Sequence, residues 1–190
     1  MLKPTIDSRI SVCKECSLYK NCSLFPIGQF GAFEKTPLLI ISQKPTKEEF
    51  STNLPWYDLQ HKKIIELVKS HIKFPVKYSY AIKCPNSDKP KDIKFCLDTW
   101  LNNEIKDCQA KCVMFLGREL WKNYGAKKCN YNPKSNPKTY LNKIFVDTLD
   151  KSTITFAFAE SPNKIYITGD KKLEDFVKLL KIVNTTLGVV

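Results

Sequence analysis

The sequence predicts an α/β fold, a three-layer αβα sandwich with a central, mainly parallel, four-stranded sheet between helices. Four short apolar runs rich in β-formers recur along the chain, at residues 37–42, 78–83, 112–117 and 154–159. Each is apolar almost throughout, which is typical of strands buried on both faces of a parallel sheet. Three stretches carry apolar residues at helical spacing, at residues 58–72, 91–105 and 173–183. Alternation of such strands and helices defines the fold class.

The size and composition of the chain predict one domain over residues 1–190. A length of 190 residues with 43% hydrophobic residues is sufficient for a core without disulfides. No apolar run approaches the ~18 residues of a membrane helix, and the first residues lack the apolar stretch of a signal peptide. We therefore expect a cytoplasmic protein without membrane association. In that compartment the eight cysteines are more typical of metal ligands or core residues than of disulfides.

The charge of the chain, +12 with 31 Lys+Arg against 19 Asp+Glu, favours a polyanionic partner, nucleic acid above all. The alternative is that lysine serves only as a general solubilising residue. Residues 122–146 concentrate this pattern, with six lysines, no acid, and interleaved tyrosines and asparagines. Lysines that can bind phosphates, interleaved with aromatic rings that can stack on bases, are typical of proteins that bind single strands or flipped bases. A solvated lysine-rich loop is the alternative interpretation of the same segment.

The cysteines include one pair with metal-clamp spacing, Cys13-Lys-Glu-Cys16. Zinc, iron–sulfur and redox roles all use this spacing. A thioredoxin-type role is the weakest, because the pair precedes every predicted strand. Cys84 follows the second predicted strand and Cys96 lies in the next helix. Cys112 begins a strand, so we expect it to be a core residue.

The order of these motifs resembles the uracil-DNA glycosylase superfamily, most closely its iron–sulfur branch, family 4. The resemblance spans roughly residues 13–183. It rests on Cys13-x-x-Cys16, the strand ending in a proline-containing loop at 41–49, Lys83-Cys84-Pro85, Leu101-x-x-Glu104-Ile105, the strand ending in Leu116-Gly117, and Ser161-Pro162-Asn163 in place of His-Pro-Ser.

A [4Fe–4S] cluster is what the resemblance implies for the cysteines. By position its ligands are Cys13, Cys16, Cys84 and Cys96, which tie an N-terminal arm (residues 10–36) to the second strand and its helix. The interval between Cys84 and Cys96 is shorter than usual in the family, which makes Cys108 the reserve for the fourth ligand. A four-cysteine zinc site is the alternative. In either case the expected role is structural.

The three positions that carry uracil excision in the family are replaced here. Gln43 stands for the acid of the first motif, and an amide cannot act as a base. Ser161 stands for the histidine that stabilises the departing uracil anion. Tyr80 stands for the asparagine that reads the uracil edge; a phenol cannot offer the paired donor and acceptor of an amide, and its bulk would fill the pocket. Lys44 adds a cation where positive charge would develop on the sugar.

We therefore interpret the chain as a catalytically silent relative that binds through the former DNA cleft. The expected partners are DNA, held weakly and without sequence specificity, or an acidic DNA-mimicking protein similar to glycosylase inhibitors. The residues expected to bind are Lys44, Trp56, Tyr57, Asn163, Lys127, Lys128, Lys134 and Lys138. Trp56 stands where a family aromatic stacks on the base, or else covers the core. The alternatives are a glycosylase for a modified base, with Gln43, Glu48 or Glu160 in new roles, and a scaffold subunit.

Overall fold

A single β-sheet forms the centre of the protein. The computed structural model describes residues 30–31, 35–84, 90–125, 140–149, 152–167 and 169–188. The strands are β1 (Phe30–Gly31), β2 (Leu38–Ser42), β3 (Val76–Tyr80), β4 (Cys112–Leu116), β5 (Lys143–Leu149) and β6 (Ser152–Ala159). They lie side by side in the order β1-β3-β2-β4-β6-β5.

The four middle strands, β3, β2, β4 and β6, are parallel and correspond to the four apolar runs of the sequence. Every residue of β2 and of β4 is buried, which explains why these runs are apolar without alternation. The predicted α/β class and the mainly parallel sheet are therefore confirmed.

The predicted count of four strands is wrong, because an antiparallel strand flanks the parallel centre on each side. β1 pairs with β3 and β5 pairs with β6, giving five strands of five residues or more and one of two residues. The sequence conceals β5 because it begins inside the basic segment 122–146, which we expected to be a loop. An antiparallel edge strand is less enclosed than a central one; Lys143 and Val146 are exposed on opposite faces of β5, whereas Ile144 and Phe145 pack against the two cores.

Helices connect the strands. They are α1 (Lys47–Thr52), α2 (Leu59–His71), α3 (Pro90–Cys96), α4 (Asn102–Asp107), α5 (Arg118–Leu120), α6 (Pro162–Ile167) and α7 (Asp170–Thr186). π-Helical segments lie at Leu97–Leu101, between α3 and α4, and at Trp121–Gly125, after α5. The three amphipathic stretches of the sequence correspond to α2, to α3 through α4, and to α7. Within the described ranges, no helix combines the length and apolar character needed to cross a membrane.

Two hydrophobic cores lie on opposite faces of the sheet, because successive residues of a strand point to opposite sides. On one face Ile40 shares a core with Ile64 of α2 and Phe176 of α7. On the other face the next residue, Ile41, shares a core with Leu101 of the first π-helical segment. Helices therefore cover both faces of the sheet among the described residues.

Candidate functional site

The carboxyl ends of the four parallel strands lie along one edge of the sheet, here called the carboxyl edge. Ligands of α/β sheets bind beyond this edge, where the strand order reverses. The reversal lies between β2 and β4, because β3 flanks β2 on the other side. Gln43 follows β2, Tyr80 ends β3 and Ser161 lies two residues after β6. The fold thus brings Gln43, Tyr80 and Ser161, the three positions singled out by the sequence resemblance, to the same edge.

A buried group of polar side chains, the His61 cluster, lies at the end of β2. Nδ1 of His61 is 2.8 Å from Oε1 of Glu49 and 2.9 Å from Oδ2 of Asp58. Nε2 of His61 is 2.9 Å from Oγ of Ser42, the last residue of β2. All four residues of the cluster are buried. Two helices and a strand therefore meet at one imidazole.

The two carboxylates of the cluster also cap the helices that carry them. At α1, Oγ1 of Thr46 accepts the Glu49 backbone N–H, and Oε2 of Glu49 accepts the Thr46 backbone N–H, forming a capping box. At α2, Oδ1 of Asp58 accepts the His61 backbone N–H at 2.8 Å. Each carboxylate thus uses one oxygen for a helix cap and the other for the imidazole.

The electrostatics of the cluster favour an imidazolium. Burial alone would lower the pKa of His61, but hydrogen bonds and charge from Asp58 and Glu49 raise the pKa to about 9. Burial would raise the pKa of Asp58, yet its bonds from His61 hold that pKa below the usual value. His61 is therefore protonated at neutral pH, and both of its ring N–H groups donate.

The serine, histidine and carboxylates of the cluster have the connectivity of a nucleophile, a base and an orienting acid, but not the required protonation. A general base must accept the nucleophile's proton, whereas Nε2–H of His61 donates to Ser42. The donor atoms of Glu49, Asp58 and His61 lie within 4.8 Å of one another, a set that could hold a metal ion. Their hydrogen-bonding distances are those of a shared proton. The cluster is thus a structural ion network in which one imidazolium faces two carboxylates.

Tyr80 and Trp56 fill the space beside the cluster. The Tyr80 hydroxyl accepts the backbone N–H of Trp56 at 2.6 Å. The indole ring of Trp56 lies 4.6 Å from the His61 ring and 4.9 Å from the Tyr78 ring, centroid to centroid. Trp56 is only 1% exposed and Tyr80 is fully buried. In this conformation the Trp56 ring belongs to the core, so it contacts no ligand unless the loop moves.

The other predicted binding residues of the described ranges are more accessible. Tyr57 is 39% exposed, and Nζ of Lys62 lies 3.4 Å from the centre of its ring. Asn163 is exposed on α6 and Lys44 is half-buried in the loop after β2. The four lysines of the basic segment, Lys127, Lys128, Lys134 and Lys138, lie outside the described residues.

An ion pair joins the loops that follow β4 and β6. Nη2 of Arg118 is 2.8 Å from Oε1 of Glu160, and Nζ of Lys172 is 3.8 Å from the same oxygen. Gly117 has a φ of +117°, and a Cβ built there would lie 3.7 Å from Cβ of Ser161. Glu160, the residue before Ser161, is therefore already paired with cations of the protein.

The described cysteines fall into two kinds. Cys108 and Cys112 are core thiols: burial raises the pKa of Cys108 to about 11 and that of Cys112 to about 12. Cys108, the reserve for the fourth ligand, packs in the core beside Ile105, and Cys112 is in the core as expected. Cys84 and Cys96 are buried after β3 and at the end of α3. Cys13 and Cys16 lie outside the described residues.

The residue before Cys84 is fixed by a buried ion pair. Nζ of Lys83 contacts both carboxylate oxygens of Glu104, at 2.6 and 2.7 Å. It also donates to Oγ of Ser79 at 2.8 Å and to the Tyr80 carbonyl at 2.6 Å. The ammonium is thereby fully satisfied in the core, and α4 is tied to the turn that carries Cys84.

Sequence analysis missed the His61 cluster and the partner of Lys83. The capping box Thr46-x-x-Glu49 and the N-cap Asp58 are local patterns that could have been found. Their joint contact with His61 depends on tertiary packing and has no local signal. No protein-family model matches this chain, and no curated protein matches it significantly.

Proposed function

We propose that this chain is a uracil-DNA glycosylase-like protein that does not excise uracil and binds nucleic acid along its carboxyl edge. The sequence resemblance supplies the family. The protein would use the scaffold of a base-excision enzyme as a binding platform, with weak, sequence-independent affinity.

One observation carries the non-catalytic half of the proposal, the hydrogen bond from the Trp56 backbone to the Tyr80 hydroxyl. A glycosylase needs an open pocket for the flipped base. Here the residue at the base-reading position is buried and holds a second buried aromatic residue beside it. A nucleobase could enter only by displacing both rings.

The charges at the carboxyl edge also support the absence of uracil excision. Gln43 cannot ionise, and the acids nearest to the edge, Glu49 and Glu160, already neutralise His61 and Arg118. The His61 side chain is a buried cation that lacks a free lone pair for proton abstraction. These groups therefore provide neither a general base nor an uncommitted carboxylate for an oxocarbenium-like sugar.

Nucleic-acid binding is supported by cations that follow successive parallel strands. Lys44 and Lys47 follow β2, and Lys164 lies on α6 after β6; Arg118 follows β4 but is paired with Glu160. Because the carboxyl ends of parallel strands share one edge, these side chains line the same side of the molecule. A row of cations along one edge matches a phosphate backbone, and the net charge of +12 adds long-range attraction.

The proposed cofactor is the [4Fe–4S] cluster, held by Cys13, Cys16, Cys84 and Cys96, with zinc as the alternative. Cys84 and Cys96 are buried outside the two hydrophobic cores, whereas Cys108 and Cys112 lie within them. The group would crosslink the N-terminal arm to the sheet. Its role would be structural.

Charge reversal tests the nucleic-acid interface. We expect short single-stranded DNA to bind at low salt, with an affinity that falls steeply as salt rises. The double variant Lys47→Glu/Lys164→Glu should weaken binding and reduce the salt slope by about one per lost phosphate contact. The matched control is Lys69→Glu/Lys73→Glu, which reverses the charge of two exposed lysines near the carboxyl end of α2. Lys69 lies in the last turn of the helix and Lys73 lies two residues after it. Equal effects of the two double variants, or no binding at low salt, would refute the interface.

Uracil excision is tested separately. Purified protein should release no uracil from single- or double-stranded DNA, and Tyr80→Asn alone should not restore release, because the acid and histidine positions remain replaced. Enzyme-dependent abasic sites that disappear in Glu160→Gln or Gln43→Ala would establish catalysis by other residues.

A further inference from the structure

The loop between α1 and α2 together with the first residue of α2, residues 53–59 and here called the apolar loop, exposes an unusual concentration of apolar side chains. Leu54 and Tyr57 are each 39% exposed and Leu59 is 68% exposed. The other large exposed hydrophobic residues of the described ranges, Val146 and Ile182, are isolated on β5 and α7. Single exposed apolar residues are ordinary, whereas several within one short segment indicate a contact surface.

Buried side chains and backbone hydrogen bonds hold this apolar loop in place. Its exposed residues alternate with buried ones, namely Pro55, Trp56 and Asp58. The Leu54 backbone N–H donates to the Glu49 carbonyl at 3.1 Å, and the Trp56 backbone N–H donates to the Tyr80 hydroxyl. The leucines and Tyr57 are therefore presented outward on a backbone with little freedom to lose on binding.

The backbone of the apolar loop is also strained. Trp56 has a φ of +58°, in the left-handed region that a bulky residue rarely adopts. Such a conformation costs on the order of 1–3 kcal/mol and persists where the surrounding structure enforces it, commonly at functional sites. Here the strain turns the Trp56 ring inward while its neighbour Tyr57 points to the surface.

Two lysines lie beside the apolar side chains. Lys62 and Lys63 follow Leu59 by three and four residues on α2, which places all three on one face of the helix. Nζ of Lys62 lies 3.4 Å from the centre of the Tyr57 ring. The surface thus combines aliphatic contacts with two ammonium groups.

We propose that the apolar loop, with Lys62 and Lys63, docks a partner protein whose contact surface combines apolar side chains with carboxylates. Leucines and lysines side by side complement such a surface, with buried apolar anchors and a charged rim. The leucines are distinct from the cations proposed to bind nucleic acid, although the Tyr80 hydroxyl anchors the apolar loop at the same carboxyl edge.

Other occupants fit less well. Leucine side chains offer bases no stacking platform, and Lys62 covers one face of the Tyr57 ring, so single-stranded nucleic acid is disfavoured. A second copy of this chain would bring another charge of +12 against the same lysines. An anionic membrane would match the charge, but three side chains on a rigid loop give it little apolar area to bury.

Site-specific photo-crosslinking tests the proposal. A photoreactive phenylalanine analogue replaces Leu59 in one protein and Ile182, the isolated exposed residue of α7, in a control. Both are produced in cells of the natural source, and crosslinked species are identified by mass spectrometry. The protein captured at position 59 is then purified, and its affinity for the wild type is compared with that for Leu54→Ser/Leu59→Ser and for Ile182→Ser.

The proposal expects one protein captured at position 59 and not at position 182, with acidic residues at the crosslink. Its affinity should fall at least about tenfold in the double leucine variant, as for central interface residues, and be unchanged in Ile182→Ser. The double variant should keep its melting temperature and its DNA affinity. Crosslinks only to nucleic acid, lipid or a second copy, no crosslink, or an affinity unaffected by the leucine changes would overturn the proposal. If the wild-type protein binds no DNA but still binds the captured partner through the leucines, only the proposed function is refuted.

Discussion

Nε2 of His61 lies 2.9 Å from Oγ of Ser42, so the side chain of a helix is fastened to the last residue of the central strand β2. This contact determines the orientation of the imidazole, whose other nitrogen is shared by Glu49 and Asp58. Because those carboxylates cap α1 and α2, one imidazole connects the starts of both helices to the sheet. The carboxyl edge near β2 is thus built around a buried cation.

Removing the His61 side chain should destabilise the folded protein. We expect His61→Ala to lower the free energy of unfolding by about 3–5 kcal/mol, because it leaves Glu49 and Asp58 buried without a counter-charge. Urea denaturation monitored by circular dichroism measures the loss. His71→Ala is the matched control on the same helix; it is half-buried and bonded only locally, so we expect a much smaller effect. Similar losses in the two variants would show that the cluster is not a stabilising unit.

The His61 cluster also predicts a pH dependence. The pKa of His61 rises on folding from 6.5 to about 9, so the folded state binds the proton more tightly than the unfolded chain. The resulting stabilisation, on the order of 3 kcal/mol, is complete below pH 6.5 and disappears as pH rises through 9. Asp58 acts in the opposite sense: its pKa is lowered from 3.8, so its contribution is lost in acid.

Denaturation of the wild type and of His61→Gln across this range isolates the effect, because other groups titrate in both proteins. The difference in unfolding free energy between them should narrow between pH 7 and pH 10. A constant difference would mean that His61 does not carry the proton.

Tyr80→Phe tests the hydrogen bond that closes the pocket. The change removes the acceptor of the Trp56 backbone N–H while leaving the ring, and an unpaired buried donor costs about 1–3 kcal/mol. Tyr57→Phe is the control, since that side chain is partly exposed and keeps its ring beneath Lys62. Thermal unfolding measures both. If Tyr80→Phe proves as neutral as the control, the Tyr80 hydroxyl does not hold the apolar loop.

The class of fold was predictable from sequence because β2 and β4 are buried on both faces and read as unbroken apolar runs. β5 was not, since this edge strand exposes Lys143 on one face and Val146 on the other. At the carboxyl edge, Tyr80 was expected to fill the pocket, and it is fully buried. The role of His61 could not be found, because its partners come from α1 and β2, nineteen residues away in the case of Ser42.

The buried pair Lys83–Glu104 should behave differently from a surface pair. Either single change, Lys83→Met or Glu104→Gln, should cost about 3–5 kcal/mol or abolish folding, because the remaining group loses its partner in the core. The double change should recover part of the loss. Lys94→Met and Asp98→Asn, in an exposed pair, should cost no more than about 0.5 kcal/mol. A double-mutant cycle from urea denaturation gives both coupling energies; equal couplings would contradict the prediction.

Metal content should distinguish the two kinds of cysteine. Protein purified without oxygen should be brown, with iron and sulfide in equal amounts, as a [4Fe–4S] cluster requires. Cys84→Ser and Cys96→Ser should each lose colour and iron, whereas Cys108→Ala should retain both, because the Cys108 thiol lies within the hydrophobic core and donates to the Ile105 carbonyl. Colourless protein with stoichiometric zinc would replace the cluster by the zinc alternative. Iron loss in Cys108→Ala, with iron retained in Cys96→Ser, would instead assign the fourth ligand to Cys108.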